Sequence, residues 1–277
     1  MPALRPLALS LLGALAVLAT RVDTGHAAAS PWSEATGAKL RLIAPGGPPA
    51  ADGSLTLGIE IALEPGWKTY WRHPGEAGLP PEIDFSGSDN LAGATVEFPA
   101  PQRFVDGGST SIGYGGSVVL PVHLKPEDPA LPVMVSARIN YGACKELCVP
   151  ASATARLMVS RATRADPEAA ARLAAAEAAL PDPASDDFRI TAVEPSAEDP
   201  RVLVVTADLP DPAAPADLFA EGPGSAFPGV PVPLEGGGDG ADARWRVTLD
   251  RHGPSSGALR LTLVNGERAL EQVWDLP

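Results

Sequence analysis

The sequence predicts an all-β chain: two antiparallel β-sandwich domains joined by a short helical linker. Three observations carry that prediction. Ser54 to Leu63 alternates strictly, with Leu55, Leu57, Ile59, Ile61 and Leu63 on one face and Thr56, Gly58, Glu60 and Ala62 on the other. That is the period of a strand with one buried side. Short runs of β character recur along residues 36–160 and again along 186–277, separated by turn residues, as in sandwiches. Between the two regions lies the one clear helical pattern.

In chain order, residues 1–29 read as an export signal. Arg5 supplies the positive start, and Leu7 to Ala19 is apolar but shorter than the roughly 20 residues that span a bilayer. Ala27-Ala28-Ala29 offers small residues for cleavage before Ser30. An uncleaved N-terminal anchor is the alternative. Residues 30–160 form the first domain, with strands expected at Lys39–Ile43, Ser54–Leu63, Trp67–Trp71, Thr95–Phe98, Ser117–Leu124, Val133–Tyr141 and Ala153–Val159. Glu64-Pro65-Gly66, His73-Pro74-Gly75, Asp106-Gly107-Gly108 and Lys125 to Pro129 supply turns. Residues 161–185 form the linker. Its helix is expected from Asp166, an N-cap, through Pro167, suited to the first helical position, to Leu180, where Pro181 and Pro183 stop it. Being weakly hydrophobic, it reads as a connection rather than a core element. Residues 186–277 form the second domain, with strands at Phe188–Val193, Val202–Ala207, Trp245–Leu249, Leu259–Val264 and Ala269–Trp274 and loops over Pro210–Gly240. His252 stands alone there, and no chemistry is legible in that half.

The chain carries a net charge of −13, and −14 once Arg5, Arg21 and Asp23 leave with the signal. An acidic surface argues against nucleic acid and anionic lipid as partners. No later segment is apolar enough to cross a membrane. The mature chain is expected to be soluble and exported, where disulfides persist.

Cys144 and Cys148 are the only cysteines, in Tyr141-Gly142-Ala143-Cys144-Lys145-Glu146-Leu147-Cys148-Val149-Pro150. A bond between them would close a loop of about five residues, contributing roughly 2 kcal/mol against nearly 5 for a 100-residue loop. A structural staple normally spans more chain, so the pair looks placed for exchange. It falls at the bend between two expected strands, where a compact turn brings the Cα atoms within the ~7 Å a disulfide permits. Lys145 favours a thiolate and Glu146 opposes it; no helix N-terminus follows to add its dipole. A turn-stabilising disulfide without redox role is the plain alternative. A metal reading also competes, because Cys-x-x-x-Cys binds copper in some proteins. Here Ser152 and Ala155 stand where dinuclear copper loops place His and Met, and two soft ligands without imidazole make an incomplete site.

Trp67, Tyr70 and Trp71 cluster densely for a chain with 5% aromatics. Trp67 and Trp71 suit core and cross-strand packing, while Tyr70 could face the cysteines. Tyr114 lies in Ser111-Ile112-Gly113-Tyr114-Gly115-Gly116, which reads as a flexible loop able to cover a reactive site; an exposed turn tyrosine is the alternative. His73 reads as a turn residue and His123 as a solvent or packing histidine. There is no hydrolase triad, phosphate loop or dinucleotide fingerprint.

Taken together, Pro65-Gly66-Trp67-Lys68-Thr69-Tyr70-Trp71, the Gly75–Pro81 turn, Phe98-Pro99-Ala100-Pro101, Gly113-Tyr114-Gly115, Leu120-Pro121-Val122 and the cysteine segment resemble the periplasmic N-terminal domain of the disulfide reductase DsbD, and more closely its ScsB-like relatives. The resemblance covers residues 36–160; ScsB-like proteins also carry a second β domain. It implies immunoglobulin-like sandwiches, a periplasmic location and an exposed cysteine pair that passes electrons to thioredoxin-like proteins without a cofactor. It further implies that Cys148 attacks a partner disulfide, that Cys144 resolves the adduct, that the segment around Tyr114 is an aromatic cap and that Tyr70 is an active-site tyrosine. The chain ends at Pro277 without a multi-span or thioredoxin domain, so a separate membrane protein is the expected electron donor. Two other functions stay open: a copper-handling or cytochrome-maturation factor using the reduced pair as ligands, and a structural adaptor with an inert disulfide.

Overall fold

A computed structural model of the chain describes residues 26–76, 78–106, 108–223, 228–234, 242–250, 254 and 256–277. Most of the expected signal segment, and His252, lie outside them. The all-β class holds. The N-terminal half contains β1 (Ser33–Ala35), β2 (Ala38–Ile43), β3 (Leu55–Leu63), β4 (Lys68–Gly75), β5 (Glu82–Asp84), β6 (Leu91–Val96), β7 (Gln102–Asp106), β8 (Ser109–Gly115), β9 (Ser117–Pro126), β10 (Val133–Cys144) and β11 (Cys148–Val159). One sheet has the order β1-β2-β3-β9-β6, the other β11-β10-β4-β8-β7 with β5 pairing β10. The apolar face of β3 explains the stacking: Leu57 and Ile59 are fully buried, packed with Leu40, Val122, Val135 and Ile139 in one core.

After α1 (Pro167–Ala178) come β12 (Asp182–Pro183), β13 (Arg189–Pro195), β14 (Val202–Asp208), β15 (Ala216–Glu221), β16 (Val232–Pro233), β17 (Asp242–Thr248), β18 (Gly257–Asn265) and β19 (Arg268–Leu276). They form the sheets β12-β19-β18-β15 and β13-β14-β17-β16 around a second core that includes Val205, Leu218, Val247 and Leu261. The strand β15 lies inside the stretch expected to be loops. Its Asp217-Leu218-Phe219-Ala220 core is short, and the surrounding Pro and Gly mask it.

The helix is capped as the sequence dictates: the Asp166 carboxylate accepts from the Glu168 and Ala169 backbone N–H groups. It is more than a connection, however. Ala169, Leu173 and Ala176 are buried, and α1 packs on β9. Arg172 reaches Glu60 of β3 at 2.7 Å, and Arg41 reaches the same carboxylate at 2.6 Å. Glu60, on the polar side of an alternating strand, is thereby covered, and two guanidiniums offset the cost of burying its charge.

The two halves meet along β4. Trp71 is fully buried, with the Phe219 ring 6.0 Å away. Next to it, Arg72 pairs with Glu221 at 2.6 Å and with Glu271 of β19. Burial alone would depress the Arg72 guanidinium; the Glu221 hydrogen bond and the charges of Glu221 and Glu271 outweigh it and raise its pKa. Arg103 of β7 grips Asp217 through two hydrogen bonds of 2.6 and 2.8 Å.

Candidate redox site

The β10–β11 hairpin builds the site. Its antiparallel register runs unbroken from Val133 opposite Val159 to Cys144 opposite Cys148. The two cysteines are therefore a directly facing cross-strand pair, and Lys145, Glu146 and Leu147 make the turn between them. Their Cα atoms are 4.1 Å apart and the sulfurs are bonded. Facing residues in an antiparallel ladder lie about 4.5–5.5 Å apart, so the hairpin itself brings the thiols together.

Strand position sets their exposure. Cys144 lies on β10, flanked by β11 on one side and by Lys68 of β4 on the other, and is 5% exposed. Cys148 lies on β11, the edge strand, and is exposed. An incoming group therefore has access to Cys148 and not to its partner. Leu147 in the turn and Leu79 nearby are also exposed, at 74% and 48%.

Tyr70 completes the site. Its hydroxyl lies 2.8 Å from Cys144 Sγ and 3.0 Å from Cys148 Sγ. Bonded sulfurs carry no hydrogen, so the phenol's single O–H is the donor, shared between the two. Burial raises the Tyr70 pKa, which keeps it a donor. Thr69 Oγ1 donates to the Gly142 carbonyl at 2.9 Å and ties β4 to β10 beside the pair. Among the described residues, no group of three or more His, Cys, Asp or Glu side chains converges as a metal site would require.

Tyr114 does not lie on a loop. It sits in β8 opposite Thr69, is 6% exposed, and its hydroxyl donates to the Pro99 carbonyl at 2.8 Å. Burial raises its pKa well above the usual value, with the Arg72 charge acting against the shift. The glycines that suggested a hinge have other tasks. A Cβ on Gly113 would fall 2.0 Å from the Thr69 carbonyl oxygen, so Gly113 lets β8 close on β4, while Gly116 turns with φ +76°. His73 likewise lies in β4 and is buried rather than in a turn, and His123 is exposed on β9. Two residues at the site were not singled out from the sequence, Gly78 and Gly142. For Gly142 the available signal was a glycine adjoining a strand pattern, which often marks close approach of another group; Gly78 lies in the expected Gly75–Pro81 turn, where a glycine carries no such signal.

Comparison with known proteins bears on the fold and the family. Residues 45–160 match the family described as "Thiol:disulfide interchange protein DsbD, N-terminal". No curated protein matches the chain in sequence. Among solved structures, the N-terminal periplasmic domain of ScsB from Proteus mirabilis superposes with a TM-score of 0.70 at 21% identity, covering 90% of this chain and 98% of that one. Residues 45–160 are thus similar to the DsbD N-terminal family, within a chain that has the fold of the ScsB periplasmic domain.

Proposed function

We propose that the chain is a periplasmic thiol–disulfide exchange protein of two domains, 30–160 and 186–277, whose Cys144/Cys148 pair reduces the disulfides of thioredoxin-like partners. One observation carries the reading: the pair is asymmetric, with Cys148 open on an edge strand and Cys144 buried beside it. In the reduced protein, the Cys148 thiolate attacks one sulfur of the partner disulfide. A mixed disulfide forms and the partner's other sulfur leaves as a thiolate. Cys144, held in register 4.1 Å away at Cα, then attacks Cys148 Sγ. The pair becomes the disulfide and the partner a dithiol, with two electrons and two protons passed on. Tyr70, whose one O–H is within reach of either position, stabilises whichever sulfur carries negative charge during the exchange. Re-reduction requires an electron donor, for which a separate membrane protein is the proposed source.

The test is trapping. Reduced Cys144→Ala protein mixed with an oxidised thioredoxin-like protein should accumulate a mixed disulfide through Cys148, resolved by dithiothreitol. Absence of an adduct, together with full cellular function when both cysteines are replaced, would leave the inert adaptor instead.

A further inference from the structure

Resting on the exchange reading, we propose that Gly78 and Gly142 are positioning residues that form a slot for the Tyr70 ring and so aim its hydroxyl at the two sulfurs. Tyr70 belongs to β4, where Lys68 and Thr69 face Cys144 and Ala143 of β10. To reach both sulfurs its ring must cross β10, and it does so over Gly142. A Cβ on Gly142 would lie 2.5 Å from Tyr70 Cε2 and 2.6 Å from Cδ2. The opposite edge of the ring meets Gly78, where a Cβ would lie 2.6 Å from Cε1 and 2.7 Å from Cδ1, and also 2.6 Å from Pro74 Cβ.

Neither glycine is among those with positive φ, so the backbone at these two positions does not call for glycine. The ring does. Its hydroxyl lies on the Cβ–Cζ axis, so flipping the ring leaves the hydroxyl in place; only tilting the axis moves it. Contacts on both edges oppose that tilt. Leu79 closes the slot from above, with its Cβ 3.3 Å from the position a Gly142 Cβ would take. Carbon atoms pack at about 3.5–4.0 Å, so a methyl at either glycine displaces the ring by roughly 1 Å. From 2.8 and 3.0 Å, such a shift lengthens or misaims the hydroxyl's contacts with the sulfurs and so weakens them.

The experiment uses the full chain carrying Cys144→Ala, so that Cys148 is the only thiol, and records the pH profile of its alkylation by iodoacetamide. Tyr70→Phe should move the midpoint of that profile upward by about one unit, corresponding to about tenfold less thiolate at neutral pH. Gly142→Ala and Gly78→Ala should each move it in the same direction. In the Tyr70→Phe background neither should move it further, because the hydroxyl they position is gone. Thermal unfolding of each variant reports on the fold separately. If Gly142→Ala does not fold, Gly78→Ala, in the connection between β4 and β5, carries the test. A folded glycine variant with an unchanged midpoint overturns the proposal, as does an equal shift with and without the Tyr70 hydroxyl. Failure to trap a partner would instead remove the exchange reading and leave this profile interpretable.

Discussion

Cys148 and Cys144 differ by one strand position in the sheet, and that alone should separate their reactivity. In fully reduced protein, alkylation at pH 8 followed by peptide mass analysis should modify Cys148 roughly tenfold faster than Cys144, following access to the sulfur. Equal rates would contradict the assigned roles. The tyrosines make a second prediction. Tyr70, Tyr114 and Tyr141 are all the tyrosines of the chain, and burial raises the pKa of each. A phenol whose folded pKa lies above its unfolded value near 10 gives a contribution that is complete below about pH 10 and lost as pH rises through the folded value. Absorbance at 295 nm should therefore show little tyrosinate at pH 10 in native protein and substantially more in urea. Urea midpoints should fall between pH 9 and pH 11. The cysteines could be picked out by type and spacing, and Tyr70 through its aromatic cluster and the family resemblance. Tyr114 could not be placed, because a run of glycines reads the same whether it frees a loop or lets two strands close.

At the scale of elements, β3 and the body of β10 were legible because alternation over nine or more residues leaves one consistent arrangement. β8, β5 and β15 were not, since glycine, shortness or flanking prolines hide their pairing. The helix was legible through its cap, but its docking was not: the partner of Arg172 is Glu60, 112 residues earlier. Asp166→Ala should destabilise the protein by about 1 kcal/mol in urea unfolding, the usual cost of a lost N-cap. The β10–β11 hairpin should be insensitive to redox state. Its register pairs continue for eleven positions behind the cysteines, whereas the disulfide adds only about 2 kcal/mol through so short a loop. Hydrogen exchange of Val133–Ala143 should keep its protection pattern after reduction; loss of that protection would mean that the bond, and not the ladder, shapes the hairpin.

For the whole molecule, β4 serves both the site and the junction between halves. Tyr70 reaches the sulfurs, Trp71 meets Phe219, and Arg72 joins Glu221 and Glu271. Arg72→Ala removes the cation shared by two partly buried carboxylates, leaving Glu221 without it while Glu271 keeps Arg260 at 3.1 Å. It should destabilise the protein by about 2 kcal/mol, short of the 3–5 seen for fully buried pairs because these groups keep some solvent. Small-angle scattering should then show a larger radius of gyration, and an unchanged radius with an unchanged unfolding midpoint would show that the ion cluster does not hold the halves together. None of this was legible beforehand, since it depends on residues about 150 and 200 positions apart, and charge patterns along a chain do not reveal such distant partners.

The facing register of Cys144 and Cys148 also bears on the direction of traffic. If the ladder keeps its register on reduction, a partner docking at Cys148 as proposed meets nearly the same contour before and after electrons pass. Shape then provides no ratchet: nothing in the hairpin expels a spent partner or turns away one arriving from the wrong side. Under the proposed exchange, flow is then set by the relative abundance of reduced and oxidised partners, and the pair would act as an open junction whose sense reverses when those two populations are exchanged.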